Sequence, residues 1–466
     1  MAFSTLFFAF VFLPISLALY YIVPRVCKNS ILVILSLVFF SWGTPSYMIL
    51  MLFSVLFNYL AGLWMDTLEE NPGMRRIAVI LSVTANIVLL GFFKYWGFLL
   101  RNLNVLLGTG FTDSGLAAPL GVSFYTFQIL SYLFDVYRHK TPVQKNLLDF
   151  ACYVTFFPKL VSGPIVEYNK FYPQLHGREK VDLIKFGDGA RLFFVGLGKK
   201  LIIADGLSAA YSAVTGLDDV TVGLAWLGCI YYTLNIYFDF SSYSDMAIGI
   251  AKMFGFEIDK NFDYPYMSEN VSEFWRRWHI SLGTWFRNYV YIPLGGNRCS
   301  KAKHIRNIMT VWILTGIWHG SEWTFVAWGL FYGILLLLEK YIYGALLAKL
   351  PKFIRHIYTM LMVMIGWVFF FSPSIGSAFS WLGKMFFIGA DGLWSSTTTY
   401  YFSGNIILMV IAIIGCIPTI PKLSRKITEL GGLGSLMINA SYILIVLGSI
   451  AYMVNSTYSS FLYFAF

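Results

Sequence analysis

The sequence predicts an all-α polytopic membrane protein, and three observations support that prediction. Of the 466 residues, 58% are hydrophobic and only 12% are charged, whereas a soluble domain carries about 25% charged residues. The mean hydropathy is +0.66. The apolar residues are grouped in blocks close to the length of about 20 residues that a membrane-spanning helix needs. Because lipid offers no hydrogen-bond partner to free backbone groups, such blocks must be helical.

The apolar segments follow one another along the whole chain, with boundaries that a sequence defines only to within several residues. They fall near residues 5–24, 30–44, 47–65, 77–100, 119–137, 147–166, 191–213, 222–238, 307–319, 322–338, 356–372, 401–418 and 434–454. No tandem repeat, low-complexity tract or soluble domain interrupts them. We therefore expect residues 1–466 to form a single integral membrane domain.

Positive charges predict the orientation of the chain. Arg25 and Lys28 follow the first apolar segment, and Lys422, Arg425 and Lys426 precede the last one. Positively charged loops stay in the cytoplasm, so both termini are expected outside it. The first segment has no basic region before it and is therefore not expected to be a cleavable signal. The net charge of +10 fits loops near anionic membrane lipid, and no nucleic acid is expected as a partner.

The stretch from about 271 to 298 is aromatic and basic, unlike the apolar segments around it. Its apolar residues recur every three to four positions, which predicts one amphipathic helix lying in the cytoplasmic membrane interface. The residues of this apolar stripe are Trp275, Trp278, Leu282, Trp285 and Tyr289. His279 adjoins the stripe.

The stretch "LTGIWHGSEW" places His319 inside an apolar run from about 307 to 339. Basic clusters flank that run and put its two ends on the same side of the membrane. We therefore expect a re-entrant helical hairpin with its bend near Gly320–Glu322. About 13 residues separate Asn307 from His319, a rise of roughly 20 Å, which places the imidazole well inside a hydrocarbon core about 30 Å thick.

The depth of His319 leaves two interpretations open. A buried neutral imidazole is a competent general base, because lost solvation disfavours its charged form, and an ionisable group at that depth is a functional-site hypothesis. The other interpretation, equally open on the residues alone, is a structural histidine that hydrogen-bonds across helices. The six histidines form no HxxxH or HxH pair and the five cysteines no CxxC, so no metal site is expected.

A polar strip interrupts the membrane-like sequence between residues 235 and 256. It contains Asp239, Ser241, Ser242 and Asp245. We favour a structural interpretation, in which these side chains cap a helix that begins near Tyr243. A polar lining for a substrate path is the alternative.

Arginines near the expected cytoplasmic opening form a candidate site for an anionic donor, since guanidinium groups match phosphate geometry. They are Arg276, Arg277, Arg287 and Arg298. We assign Trp278 and Trp318 to the same candidate donor site. For any one arginine, anchoring to lipid headgroups is the alternative.

Several long blocks of the chain resemble the signature blocks of the membrane-bound O-acyltransferase (MBOAT) family. They are "FFPKLVSGPIVEYNKFYPQL", "DFSSYSDMAIGIAKMFGF", "NFDYPYMSENVSEFWRRWHISLGTWFRNYVYIPLGGNR" and "LTGIWHG". Their order and wording are similar to the bacterial branch that acetylates alginate and peptidoglycan. The resemblance covers essentially the whole chain and favours the catalytic interpretation of His319.

The resemblance implies a bundle of roughly 11–13 membrane helices, with re-entrant and interfacial helices around a central funnel. It implies an enzyme of the inner membrane that moves an acetyl group from cytoplasmic acetyl-CoA toward an extracytoplasmic polysaccharide, with no bound cofactor. His319 would act as general base, and His279 would orient the donor or stabilise the oxyanion. The acceptor would be reached through a separate extracytoplasmic SGNH-like acetyltransferase partner.

The sequence leaves two alternative functions open. Within the same family, the chain could transfer D-alanine to teichoic acid, although that branch is expected to differ in its N-terminal half. Outside it, the chain could be a non-catalytic transporter or scaffold for glycan export. Transporters commonly carry inverted repeats, and the two halves of this sequence show no such symmetry.

Overall fold

A computed structural model describes residues 1–42, 45–112, 118–176, 182–455 and 461. None of these residues lies in a β-strand, and the chain folds as helices joined by short turns. The predicted all-α class is therefore confirmed. It follows from the composition, because a long apolar segment in lipid can satisfy its backbone groups by itself only as a helix.

The helices follow the apolar segments of the sequence. The first nine are α1 Leu13–Ile22, α2 Lys28–Ser41, α3 Ser46–Thr67, α4 Pro72–Leu107, α5 Val122–Tyr137, α6 Leu147–Thr155, α7 Phe157–Leu160, α8 Tyr168–Phe171 and α9 Leu183–Gly198. The next six are α10 Asp205–Thr215, α11 Val222–Met253, α12 Val271–Arg277, α13 Ile280–Phe286, α14 Lys301–His319 and α15 Trp323–Leu338. The last six are α16 Gly344–Leu347, α17 Lys352–Phe371, α18 Ile375–Met385, α19 Ser396–Gly415, α20 Thr419–Thr428 and α21 Gly432–Asn455.

Among the described residues, six helices are long and apolar enough to cross a membrane. They are Ser46–Thr67, Pro72–Leu107, Trp323–Leu347, Lys352–Phe371, Ser396–Gly415 and Gly432–Asn455. Large apolar side chains on them are exposed, as Leu444 and Leu447 are on α21. An extensive exposed apolar surface of this kind requires an apolar surrounding, so the chain is a multi-pass membrane protein.

The described chain forms two compact units. The first contains Met1–Phe193 and Met246–Asp259, and the second contains Phe194–Asp245 and Lys260–Phe466. In the first unit, the buried amides of Asn58 on α3 and Asn86 on α4 donate to each other over 3.1 and 2.7 Å. Such reciprocal amide bonds join helices where apolar packing alone gives little specificity.

The second unit contains the segment for which the sequence predicts one amphipathic helix. The helix is broken there, because α12 ends at Arg277, Trp278 is extended, and His279 takes a left-handed conformation with φ of 45° before α13 begins. Periodicity alone could not reveal this break, since it depends on a rare conformation for a residue other than glycine. Trp278 is nevertheless buried, with 2% of its surface exposed, so this part of the stripe faces protein.

The interpretation of residues 235–256 as a helix start is wrong. Helix α11 runs without interruption through Tyr243, so there is no N-terminus there to cap. The carboxylates of the strip are instead held by lysines of the preceding helical segment. Asp239 accepts from Lys200 and Asp245 from Lys199, each over 2.7 Å. Ion pairing explains how a helix with an apolar environment carries two carboxylates.

Candidate active site

Helices α14 and α15 pack against each other at glycines. A Cβ atom on Gly316 would lie 2.4 Å from the carbonyl oxygen of Phe325, and one on Gly329 would lie 2.4 Å from the carbonyl oxygen of Trp312. Both distances are far below ordinary contact, so the two backbones touch only because these residues lack side chains. The close approach fixes the end of α14, where His319 lies.

His319 is the last residue of α14, and residues 320–322 connect it to α15. Only 4% of its surface is exposed. Three aromatic rings stand edge-on to the imidazole, with centroid distances of 5.0 Å to Trp318, 5.0 Å to Trp328 and 5.2 Å to Phe370. The imidazole is thus held in a rigid aromatic surrounding, in which its orientation is set by packing.

His279 lies between α12 and α13 and is held by polar contacts. Its Nδ1 is 3.2 Å from Oδ1 of Asn261, and the same oxygen accepts the backbone N–H of Ser281 over 3.1 Å. The Asn261 amide nitrogen donates to Ser244 over 3.1 Å, which fixes the orientation of the amide. Because Asn261 presents an oxygen, the imidazole donates from Nδ1, and its lone pair is on Nε2.

Burial also fixes the protonation state of His279. The side chain is 2% exposed and lies outside the six candidate spans. Desolvation disfavours the imidazolium and lowers the pKa of His279 to about 3. The imidazole is therefore neutral at physiological pH, and it can serve as a hydrogen-bond donor and acceptor without carrying charge.

The rings of the two candidate catalytic histidines both contact the indole of Trp318. The centroid of Trp318 lies 5.0 Å from that of His319 and 6.2 Å from that of His279. The fold therefore brings together three of the residues singled out in the sequence. Trp278 is also buried, but the rings nearest to it belong to Trp367 at 4.9 Å and Phe262 at 5.1 Å.

The candidate donor-binding arginines are arranged differently from one another. Arg276, Arg287 and Arg298 are exposed. Arg277 is half-buried, and it donates to Glu273 over 2.8 Å and to the carbonyl oxygen of Asp263 over 3.1 Å. The exposed three can reach an anionic ligand directly, whereas Arg277 already has an acidic partner.

A cavity of about 270 Å³ lies beside the start of α12 and the end of α15. Its lining includes Asn270, Lys340 and Arg355 and does not include His319 or His279. In the described part of the chain, no group of three or more His, Cys, Asp or Glu side chains is placed to hold a metal ion.

Two features of the second unit were not predicted from the sequence. One is Asn261, whose side chain holds His279 in place. The residues next to it in the sequence give no indication of that contact. The other is a charged cluster in which Lys200, 2% exposed, pairs with Asp239 at 2.7 Å and Asp205 at 2.8 Å. The signal for that cluster was available, because Lys199 and Lys200 stand inside the apolar segment 191–213.

Comparison with known proteins identifies the family. The model of the family described as "MBOAT, membrane-bound O-acyltransferase family" matches residues 34–381. A relative named "Probable alginate O-acetylase AlgI" from Azotobacter vinelandii is 39% identical over 84% of this chain and 79% of its own length. A "Peptidoglycan O-acetyltransferase" of Helicobacter pylori is 35% identical over 84% of this chain and 80% of its own length.

A more distant similarity covers half of the chain. A "Teichoic acid D-alanyltransferase" of Streptococcus thermophilus is 28% identical over 47% of this chain and 56% of its own length. The family match extends over most of the chain, and the two nearer relatives exceed 30% identity over more than two thirds of it. The chain therefore belongs to the membrane-bound O-acyltransferase family and is an O-acyltransferase of the membrane.

Proposed function

We propose that this protein takes an acetyl group from acetyl-CoA on the cytoplasmic side and passes it across the membrane for O-acetylation of an extracytoplasmic polysaccharide. The observation that carries the proposal is the position of His319, buried at the end of a tightly packed hairpin and sharing Trp318 with a second buried histidine. The names of the alginate- and peptidoglycan-acetylating relatives support acetyl as the group transferred.

In the proposed reaction, His319 removes the proton from an acceptor hydroxyl. The hydroxyl oxygen attacks the carbonyl carbon of the thioester, and the carbonyl oxygen becomes negatively charged. Collapse of this intermediate breaks the carbon–sulfur bond, and the imidazolium of His319 gives its proton to the CoA thiolate. A thiol with a pKa of about 8.5, by analogy with cysteine, is a good leaving group, so the main barrier is the charge that forms during attack.

His279 is proposed to orient the donor or to stabilise the oxyanion. Its hydrogen bond to Asn261 and the left-handed backbone conformation hold the ring in one place. Burial keeps the ring neutral, and with its Nδ1–H donated to Asn261 it presents an acceptor at Nε2, so orienting the donor is the role that this tautomer can fill. We assign it a positioning role, since its ring and that of His319 both contact the ring of Trp318.

The phosphates of the donor are proposed to bind the exposed arginines Arg276, Arg287 and Arg298. Arg277 would contribute only by giving up its ion pair with Glu273. Trp278 and Trp318 are buried and would act by packing beneath the donor. Replacing Arg276 and Arg287 with glutamine is expected to raise the KM for acetyl-CoA, and unchanged kinetics would favour lipid anchoring.

The arrangement in the cell is proposed as follows. The chain lies in the inner membrane with both termini outside the cytoplasm, as one integral domain. Residues from about 271 to 298 lie at the cytoplasmic interface, and residues from about 307 to 339 form a re-entrant hairpin. Acetyl groups reach the polysaccharide through an extracytoplasmic SGNH-like acetyltransferase partner, and lipid surrounds the remaining surface.

Two alternatives differ from this proposal. In one the group transferred is D-alanine, and in the other the chain is a transporter or scaffold that catalyses no transfer. The distant similarity to a teichoic acid D-alanyltransferase is the observation that supports transfer of D-alanine. A transporter or scaffold would not need a base. His319→Ala tests the proposal, because it should leave the protein in the membrane at normal abundance and abolish acetylation of the exported polymer. Full acetylation in that variant would move the assignment to a transporter or scaffold.

A further inference from the structure

The indole N–H of Trp328 is a buried donor next to the candidate base. Trp328 lies on α15 and has no exposed surface. Its Nε1 has no hydrogen-bond acceptor among the residues that the structure describes. Leaving a polar group buried in this state costs about 1–3 kcal/mol, so a buried donor without an acceptor calls for an explanation.

The surroundings of Trp328 hold its ring in a fixed position. Its centroid lies 5.0 Å from His319, 5.4 Å from Trp275, 5.3 Å from Tyr332 and 5.5 Å from Phe370. Rings packed on several sides at these distances cannot reorient without moving their neighbours. The donor is therefore preorganised, which is the property that stabilisation of a developing charge requires.

Trp275 provides an instructive contrast within the same aromatic cluster. Its Nε1 is likewise buried without an acceptor in the described chain. Its ring packs on Trp312 at 4.8 Å, on Tyr332 at 4.8 Å and on Trp328, but His319 is not among its ring contacts. Of these two indoles, only Trp328 combines an unpaired donor with direct contact to the imidazole of His319.

We propose that the Nε1–H of Trp328 donates a hydrogen bond to the oxyanion of the acyl-transfer intermediate. This inference rests on the proposed function, since it needs His319 to be the base beside which attack occurs. Attack forms the carbon–oxygen bond and moves the carbonyl π electrons onto the oxygen, which accepts from Trp328. When the carbon–sulfur bond breaks, the carbonyl re-forms, and the proton held by His319 passes to the departing thiolate.

The step needs no oxidant or further reactant, because the acceptor hydroxyl supplies the proton and the thiolate receives it. A donor that bonds the oxyanion more strongly than the ground-state carbonyl lowers the barrier to attack and leaves donor binding nearly unchanged. Removal of one such donor lowers kcat by about 100-fold to 1,000-fold. The competing explanation is that the N–H points at the face of a neighbouring ring, which is a weak contact.

The decisive variant replaces Trp328 with 3-benzothienylalanine, which keeps the bicyclic shape and removes the N–H. Trp328→Phe is a second variant made by ordinary mutagenesis. The matched control is the same pair of changes at Trp381, whose Nε1 is also buried without an acceptor in the described chain and whose ring packs on Phe371 at 5.9 Å. The full-length protein in lipid nanodiscs, supplied with a polysaccharide acceptor, is assayed by release of CoA thiol from acetyl-CoA.

We expect the benzothienyl change at residue 328 to lower kcat by about 100-fold with the KM for acetyl-CoA changed less than about threefold. The same change at 381 should leave kcat unchanged. Equal kcat in the wild type and the benzothienyl variant at 328 would overturn the inference, as would an equal loss at 381. A purely structural role would lower thermal stability and would not separate kcat from KM.

The failure of the proposed function has a different signature. If His319→Ala retains full turnover in the same assay, the assignment of the base is wrong whatever happens at Trp328. If the wild type does not turn over acetyl-CoA, the donor or the acceptor supplied is wrong, and the residue 328 and 381 variants are then compared by acylation of the exported polymer in cells. In that setting a loss confined to the benzothienyl change at 328 supports the oxyanion role, and acylation equal to wild type contradicts it.

Discussion

The contact between α14 and α15 predicts that Gly316→Ala forces the two helices apart. A Cβ atom at residue 316 would lie 2.4 Å from the carbonyl oxygen of Phe325, whereas ordinary contact begins near 3.4 Å, so the helices must separate by about 1 Å. No side-chain rotation can relieve the overlap, because the neighbour is backbone. Severe overpacking lowers the free energy of unfolding by about 3 kcal/mol, and the higher helix propensity of alanine raises it by about 1 kcal/mol. The net loss is about 2 kcal/mol.

The matched control for this change is Gly404→Ala on α19. A Cβ atom there would have no neighbour within 4 Å, so the same substitution should stabilise the protein by up to about 1 kcal/mol. Thermal unfolding in detergent measures both effects. Because residue 316 is three positions before His319, acyl transfer should also fall, by about 100-fold for a displacement of 1 Å. Wild-type stability and activity in Gly316→Ala would refute the reasoning.

Three further predictions concern polar groups of the second unit. Asn261→Ala should lower the free energy of unfolding by about 1–3 kcal/mol and should also lower activity, because Asn261 accepts hydrogen bonds from both His279 and Ser281. Thermal unfolding measures the first loss, and the transfer assay measures the second. Lys200→Met should lower the free energy of unfolding by about 3–5 kcal/mol, because it removes the buried cation that pairs with two carboxylates. The control is Lys199→Met, which breaks an ion pair about one quarter exposed and should lower the same free energy far less. Burial lowers the pKa of His279 to about 3 from 6.5, so its contribution to the free energy of unfolding is complete above about pH 6.5 and is lost as the pH falls toward 3. At pH 5 this loss is about 2 kcal/mol, and it should be absent from the pH dependence of unfolding in His279→Gln.

The bounds of some long helices could be predicted from the sequence within about two residues, whereas α11, predicted to end near residue 238, continues to Met253. The segment predicted at 47–65 is Ser46–Thr67, and the one predicted at 434–454 is Gly432–Asn455. Apolar length gives this information directly, because a lipid environment leaves the helix as the available structure. The same reasoning explains why the membrane class and the all-α fold are confirmed.

The arrangement around His279 could not be predicted, because it depends on contacts between residues distant in sequence. The periodicity of 271–298 continues through His279, yet the backbone there is left-handed and its ring is held by Asn261. The pairing of Asp239 with Lys200 is of the same kind, since only the fold shows that the two segments meet.

The most direct test of the central claim is a comparison of two histidine variants in purified protein supplied with radiolabelled acetyl-CoA and a polysaccharide acceptor. His356, which is half-buried and lies 3.4 Å from the carbonyl oxygen of Ser268, is the control position. The proposed mechanism predicts that His319→Ala folds at wild-type abundance and transfers no label, while His356→Ala transfers label at close to the wild-type rate. Label transfer by His319→Ala at the wild-type rate would contradict it.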